Sequence, residues 1–279
     1  MSGAPIQKEY WNGPVGDQWA THAARIDAML RPMTDDALKR AALRPGAHVL
    51  DIGCGAGATS LRMAETVRPG GSVTGVDISA PLLQVARARA ANTDAPVTFV
   101  EADASTAQFD QRFDAAFSRF GVMFFEQPSA AFANIRRQMR SGARLTFVSW
   151  RPVFENGWAM TPIEAIEPMF DTPWTPPNPD VPGPFGLSDP EKIERVLSQA
   201  GWTDIAITRW DGHNIIAGGV GLEESADFLI RIGPCARAIN ERGLDVAEVR
   251  RRLVDKLAPL HDGTGVALSA ACWLVSAAG

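Results

Sequence analysis

Between residues 47 and 150, short apolar runs alternate regularly with amphipathic stretches. The apolar runs have the length and composition of buried strands, and the stretches between them repeat apolar residues at helical spacing. Strands that alternate with helices require crossover connections, so the pattern predicts a doubly wound, mostly parallel sheet with helices on both faces. The predicted strands are 47–52, 72–77, 97–101, 113–118 and 143–150, the last after a turn at 141–142, and the predicted helices are 57–67, 81–91 and 128–139.

The regions on either side of this core have different patterns. Before it, Trp19, Ala23, Ile26 and Leu30 share one helical stripe, which predicts a helix over 13–30 followed by another over 34–42. After it, eight prolines between residues 168 and 190 predict an ordered loop or lid rather than a core element. The alternation then returns, with helices predicted at 189–200, 223–232 and 245–258 and strands at 204–210 and 265–275.

These patterns predict four parts: an N-terminal helical lid (1–46), a core (47–150), a substrate-side insertion (151–188) and the remainder of the core with a helical insertion (189–279). The net charge of −5 gives no bulk attraction to nucleic acid or anionic lipid. The sequence shows no signal peptide and no apolar run long enough to span a membrane. Three widely separated cysteines argue against a disulfide framework or a metal site, so we expect a cytoplasmic protein.

The segment 49–60 carries the strongest functional signal. Gly53, Gly55 and Gly57 follow an apolar run, and residues without a Cβ allow a tight turn and a close approach to a ligand. Asp51 stands just before the turn. A loop built for a pyrophosphate does not usually carry an anion there, whereas a loop for a cationic cofactor can use one.

Two more acidic positions end the next two predicted strands. Asp77 lies about twenty residues beyond the glycine turn, where a carboxylate can accept both ribose hydroxyls. Dinucleotide-binding proteins also bind ribose hydroxyls with a carboxylate at this position, so Asp77 alone does not identify the cofactor. An acid at 101–104 can accept a hydrogen bond from an adenine amino group. Three carboxylates at successive strand ends suit a ligand with an amine, a ribose and an adenine.

These residues resemble the class I S-adenosylmethionine-dependent methyltransferases, in particular the small-molecule branch of the ubiquinone and menaquinone type. The resemblance implies a seven-stranded Rossmann-like sheet with the last strand inserted antiparallel. It also implies that the turn with Asp51 surrounds the methionine part, that Asp77 holds the ribose, and that Ile78 packs on the adenine. The resemblance further implies that Asp103 and Ala104 bind the edge of the adenine, and that Ser118, Arg119 and Trp19 also contact the cofactor.

The expected acceptor is a small molecule, held between the N-terminal helices and the insertion over the carboxyl ends of the strands. Many aromatic and few charged candidates there favour an apolar or aromatic compound, with Tyr10, Trp11, Phe120, Met123, Trp150 and Trp174 as substrate-binding residues and Trp158, Met160, Phe170 and Phe185 as further lining residues. His22, three residues after Trp19, is the candidate general base if the acceptor is a hydroxyl.

The expected activity is in-line transfer of a methyl group to this acceptor. Two alternatives remain open: a module that binds S-adenosylmethionine without turnover, and an NAD(P)-dependent oxidoreductase. The sequence indicates no metal, and the chain is expected to be a monomer or a homodimer without nucleic-acid or membrane partners.

Overall fold

One seven-stranded sheet organises the chain in the computed structural model, which describes residues 7–279. Its strand order is β3-β2-β1-β4-β5-β7-β6. The strands are β1 (His48–Ile52), β2 (Ser72–Asp77), β3 (Val97–Glu101), β4 (Phe113–Arg119), β5 (Met139–Trp150), β6 (Thr203–Ile215) and β7 (Ala267–Ala278). Neighbours among the first five strands are parallel, and β7 lies antiparallel between β5 and β6. The predicted α/β fold with an antiparallel last strand is confirmed.

The strand order places a topological switch point at β1, which pairs with β2 on one side and β4 on the other. Chain connections leave β1 and β4 in opposite directions across the sheet, so a crevice opens at their carboxyl ends. The glycine turn follows β1 at this crevice.

Twelve α-helices cover the sheet within residues 7–279. Four precede the sheet: α1 (Gln7–Trp11), α2 (Pro14–Thr21), α3 (Ala23–Met29) and α4 (Arg31–Ala41). The others are α5 (Ala58–Thr66), α6 (Ala80–Ala90), α7 (Pro128–Arg137), α8 (Gly157–Ile166), α9 (Pro190–Gln199), α10 (Leu222–Leu229), α11 (Pro234–Arg242) and α12 (Val246–Leu257). A continuous apolar core joins both faces of the sheet, and Phe113, Phe117, Phe132 and Phe147 are fully buried in it.

The predicted continuous helix over 13–30 is wrong, because the chain breaks at His22 into α2 and α3. His22 leaves helical geometry, with φ −98° and ψ 11°. The break lets α2 pack on α6 while α3 packs beside the end of β6. The apolar stripe survives it, since Ala23, Ile26 and Leu30 are buried and Trp19 is partly buried.

The predicted turn at 141–142 is also wrong. Strand β5 runs through it, with Gly142 at φ 77° and an irregular register: Phe113 pairs with Met139, but Ala115 pairs with Arg144. A glycine within a strand is typical of such a bulge, which adds residues to one strand without ending it.

Three α-helices were not predicted: α1, which is a single short segment of five residues, α8 and α11. Helix α8 is apolar on most sides and contains Pro162, so it shows no amphipathic period. Helix α11 is short and follows a glycine-proline pair that reads as a turn. The proline-rich stretch is otherwise as expected, since residues 170–189 contain no helix or strand. The four-part division of the chain stays a prediction.

Candidate active site

The glycine turn lies against the end of β4. Gly53 adopts φ 64°, and a Cβ at this position would lie 2.7 Å from the Cα of Gly121. The backbone N–H groups of Gly53 and Cys54 both donate to the carbonyl of Val76, at 2.8 and 3.1 Å. The turn is therefore fixed to β2 on one side and packed on the β4 loop on the other, at a distance that only glycine permits.

Asp51 is fully buried just before this turn. Its Oδ2 accepts hydrogen bonds from Thr59 Oγ1 at 2.8 Å and Ser60 Oγ at 2.5 Å, both from the first turn of α5. Its Oδ1 has no partner among the described residues. Burial raises the pKa of Asp51 to about 6, against the lowering by the two hydroxyls and by the charge of Arg119. A buried carboxylate oxygen without a donor is costly, and a cationic ligand would offset that cost.

Asp77 ends β2 next to the turn. Its Oδ2 accepts from Gly55 N at 2.8 Å and its Oδ1 from Ser79 N at 2.9 Å, so the carboxylate is held in one orientation. Burial raises the pKa of Asp77, and the backbone donors oppose that rise. Each oxygen keeps a second lone pair, so the carboxylate can still accept two hydroxyl groups.

The third acidic strand end is looser. Asp103 is exposed two residues beyond β3, and its Oδ1 accepts from Ser105 N at 2.8 Å. Ala104 is buried behind it. Because β1, β2 and β3 are adjacent and parallel, Asp51, Asp77 and Asp103 follow one edge of the sheet in that order.

Asn12 fixes the N-terminal helices to this edge, and the sequence did not single it out. Its Nδ2 donates to the carbonyl of Ile78 at 2.8 Å, and its Oδ1 accepts from Ala80 N at 2.9 Å. Next to it, Ser79 Oγ donates to the carbonyl of Trp11 at 2.8 Å. In the sequence, Asn12 is visible only as an amide residue before Gly13. That pattern does not identify hydrogen-bond partners more than sixty residues away.

Aromatic rings at the N-terminus meet over the glycine turn. The ring of Trp11 makes edge contacts with Trp19 at 5.5 Å, Phe124 at 5.3 Å and Tyr10 at 5.5 Å. Trp19 packs on the cluster that contains Ala56 of the turn. Tyr10 reaches outward, since 36% of it is exposed and its pKa, raised by burial, also responds to Arg237 and Glu241 of α11.

The end of β4 contributes two polar side chains. Ser118 is buried, donates to the carbonyl of Ile52 at 2.8 Å and accepts from Gly121 N at 3.2 Å. It therefore holds the two loops together. Arg119 points to the N-terminal helices, where its Nη2 donates to Asp27 Oδ1 at 2.7 Å.

Beyond Arg119, aromatic side chains form a continuous stack. Phe120 has φ 65°, which is rare for a bulky residue, and its ring lies parallel to Trp150 at 4.2 Å. Trp150 contacts Trp158 at 4.7 Å, and Trp158 contacts Phe185 of the insertion at 6.3 Å. Backbone strain of this kind concentrates at functional sites.

Two of the predicted acceptor residues differ in their placement. Met123 Sδ accepts from Trp150 N at 3.4 Å, so Met123 supports the stack from the loop after β4. Trp174 instead makes an edge contact with the exposed Phe154 at 6.3 Å, and it is partly buried against the apolar core.

A cavity of about 480 Å³ lies between α3 and α4 on one side and α5 with the end of β4 on the other. Its walls differ from the expected aromatic ones, because most are charged or polar: Asp27, Arg31, Thr34, Asp35, Ala58, Thr59, Arg62 and Arg119. Thr59 also donates to Asp51, so the cavity adjoins the carboxylate with the open oxygen.

The histidine expected to act as a base stands at the junction of α2 and α3. The ring of His22 makes an edge contact with Phe228 at 5.7 Å. Its pKa is lowered by burial and by the charges of Arg231 and Arg25, so the ring is neutral near pH 7. The structure shows no hydrogen bond between this ring and the glycine turn.

Two other properties concern the whole described chain. Within residues 7–279, no group of three or more His, Cys, Asp and Glu side chains is arranged to hold a metal ion. No helix in that range is long and apolar enough to cross a membrane.

Residues 49–142, from β1 into β5, match a family model described as a methyltransferase domain. This segment of the chain is similar to methyltransferase domains. The matched segment holds the glycine turn, the three acidic strand ends and Arg119, and the family depends on S-adenosylmethionine. Membership of the ubiquinone and menaquinone branch stays a prediction.

Similar proteins extend the match beyond the domain. An uncharacterized protein of Mycobacterium tuberculosis is 33% identical over 135 residues, which are 47% of this chain and 48% of that protein. The chain thus aligns with about half the length of that relative. An O-methyltransferase of Pyrenophora dematioidea is 26% identical over 92% of this chain and 83% of its own length.

Among solved structures, a Haemonchus contortus phosphoethanolamine N-methyltransferase 2 in complex with S-adenosyl-L-methionine has a TM-score of 0.60 at 17% identity. The match covers 99% of this chain and 60% of that one. At this identity the likeness concerns the fold.

Proposed function

We propose that the protein is an S-adenosylmethionine-dependent methyltransferase that acts on a small, apolar or aromatic acceptor. The observation that carries the proposal is Asp51, a fully buried carboxylate beside the glycine turn with one oxygen that has no hydrogen-bond partner among the described residues. The amino group of the cofactor is a cation that can donate to this oxygen. Methyltransferase relatives, including an O-methyltransferase similar over most of this chain, support the same reaction.

The residues present fit the cofactor along the sheet edge. Asp77, oriented by Gly55 N and Ser79 N, would accept the two ribose hydroxyls. Asp103 and the backbone beside Ala104 would take the adenine edge, with Ile78 packed on the ring. Trp11 and Trp19 close over the turn, where aromatic faces attract a sulfonium by cation–π interaction.

The bound cofactor supplies an already activated methyl group, so the chain's own residues need only hold the reactants and exclude water. The N-terminal helices, tied to the β2 loop by Asn12, would cover the reacting atoms. The stack of Phe120, just after β4, and Trp150, at the end of β5, would position a flat acceptor beside them. His22 would accept a proton only if the acceptor is a hydroxyl.

Calorimetry with S-adenosylhomocysteine tests the donor half. We expect the wild-type protein to bind it, and Asp51→Asn and Asp77→Asn each to bind at least about tenfold more weakly, since each loses a charge-assisted hydrogen bond. Binding of NAD(P) in place of this ligand would refute the proposal.

A methyl-transfer assay with phenols, enols and their carboxylated counterparts tests the acceptor half. Formation of S-adenosylhomocysteine with none of them, although the cofactor binds, would favour a non-catalytic module. The role of His22 is tested by His22→Ala, which should lower kcat on a hydroxyl acceptor and leave the affinity for S-adenosylhomocysteine unchanged.

A further inference from the structure

Asp27 of α3 connects two arginines that come from opposite sides of the candidate cofactor site. Its Oδ1 accepts from Arg119 Nη2 at 2.7 Å, and its Oδ2 accepts from Arg89 Nη1 at 2.8 Å. We call this group, Arg89, Asp27 and Arg119, the ion bridge. All three side chains are largely buried, with 26%, 19% and 14% of their surface exposed.

Each arm of the ion bridge holds a different part of the site. Arg89 on α6 also donates from the same Nη1 to the carbonyl of Ala56 in the glycine turn, at 2.9 Å. Arg119 ends β4 and has a second contact with Thr34 of α4, at 3.3 Å. A single carboxylate therefore fastens α3 to the turn that would hold the methionine part and to the strand beside it.

The ion bridge also borders the charged cavity. Asp27 and Arg119 line it together with Thr59, whose hydroxyl donates to Asp51. Because α3 and α4 form one side of this cavity and α5 with β4 the other, movement of α3 away from the sheet opens it. Such movement must break both arms of the ion bridge.

The other ion pair that α3 makes has a different character. Arg25 and Glu224 lie 3.9 Å apart with 41% and 59% of their side chains exposed. An exposed pair at that distance contributes little, whereas a partly buried carboxylate that accepts two guanidinium groups at 2.7–2.8 Å is strongly held. An amide at position 27 would leave two neighbouring guanidinium groups without a counter-charge.

We propose that Asp27 is a positioning residue that keeps α3 closed over the bound cofactor by joining Arg89 and Arg119. The inference rests on the proposed function, since it concerns release of the same cofactor. Asp27 touches no reacting atom and acts on the residence time of the ligand. The ion bridge must open for S-adenosylhomocysteine to leave.

The test is the dissociation rate of S-adenosylhomocysteine, measured by stopped-flow displacement. We expect Asp27→Asn to raise this dissociation rate by about tenfold or more. Asp27→Glu, which keeps the negative charge, should have a dissociation rate between that of the wild type and that of Asp27→Asn. Hydrogen exchange of α3 in the liganded protein should rise in Asp27→Asn.

The matched control is Glu224→Gln, which makes the same acid-to-amide change and removes the exposed ion pair of α3. It should leave the dissociation rate as in the wild type. Arg89→Gln breaks one arm and also removes the hydrogen bond to Ala56 of the glycine turn, so only the part of its effect that passes through Asp27 should fail to add to that of Asp27→Asn.

The outcomes separate the two proposals. If the wild type does not bind S-adenosylhomocysteine, the proposed function fails. If it binds but Asp27→Asn releases the ligand at the wild-type rate, or no faster than Glu224→Gln does, the ion bridge does not hold the site closed. Should Asp27→Asn fail to fold, Arg89→Gln and Asp27→Glu decide by the same measurement.

Discussion

Binding of the cofactor should be linked to the protonation of Asp51. In the absence of ligand this carboxyl group has a pKa of about 6, because it is fully buried. The groups that face it are the hydroxyls of Thr59 and Ser60 and the charges of Arg119 and Asp77, and burial outweighs them. A cofactor ammonium at the open Oδ1 requires the ionised form, so binding must displace the proton below that pKa.

The size of the effect follows from the pKa. At about pH 5, ten of every eleven molecules would carry the proton, so the Kd for S-adenosylhomocysteine should be about tenfold weaker than at about pH 7.5. Binding at the lower pH should release nearly one proton, whereas binding at the higher pH should release almost none. The ligand's own carboxylate and amine do not titrate in this window.

Calorimetry in two buffers of different ionisation enthalpy measures both quantities. Asp51→Asn is the control: it should bind more weakly at both pH values, and its Kd should not change between them. The reasoning is refuted if the wild-type Kd is the same at both pH values, or if Asp51→Asn keeps the pH dependence.

Four further predictions follow from the same contacts. Asp51→Asn should raise the free energy of unfolding of the ligand-free protein at pH 7 by up to about 3 kcal/mol. The pKa of Asp51 is raised in the folded state, so the wild-type protein loses stability as the pH rises from about 4 to about 6, and the amide does not. Urea unfolding of both proteins at about pH 4 and about pH 6 measures this difference. Asp77→Ala should weaken S-adenosylhomocysteine binding by about tenfold to a hundredfold, since ribose hydroxyls lose a charged acceptor, and unchanged affinity would contradict the ribose assignment. Gly53→Ala should lower the Tm and abolish binding, because the new Cβ would lie 2.7 Å from Gly121. The matched control is Gly142→Ala, which should keep binding. Gly142 also has a positive φ, but no atom lies within 4 Å of a Cβ built there. Asn12→Ala should cost about 1–2 kcal/mol of local stability, because it removes three side-chain hydrogen bonds, to Lys8, Ile78 and Ala80. Hydrogen exchange should become faster in α1 and α2 but not in α7.

The donor half of the site could be predicted because its signals are local. A short apolar strand, a glycine turn and a helix start lie within twelve residues, and Gly53 and Gly57 have positive φ as that turn requires. Parallel strands then bring the next acidic residues, Asp77 and Asp103, to the same edge. Each step uses a short stretch of chain and one rule of sheet topology.

The rest depends on contacts between distant residues, and no periodic pattern encodes them. Asn12 meets Ile78 and Ala80, and Asp27 meets Arg89 and Arg119, across more than sixty positions. The break at His22 was missed for a related reason. Its flanks carry one uninterrupted apolar stripe, but the two halves pack on different parts of the fold, so tertiary packing overrides the local pattern.

The polarity of the candidate site is where the expectation from the sequence and the structure differ most. Counting aromatic residues predicted an apolar pocket, and the structure does bring Phe120, Trp150, Trp158 and Phe185 into contact one after another beside the ends of β4 and β5. The cavity beside Asp51 is lined instead by three arginines and two aspartates. Asp27 and Asp35 each pair with one of these arginines, Arg119 and Arg62, so the cavity keeps an excess of positive charge near Arg31. Aromatic content therefore does not determine the polarity of the whole site. The aromatic stack suits a flat ring, whereas the arginine side of the cavity suits a negative charge. Either the cofactor's carboxylate or an acceptor can supply that charge. Pairs of acceptors that differ only by a carboxylate separate these two sources, because only an acceptor that itself reaches the arginines will gain from the added charge.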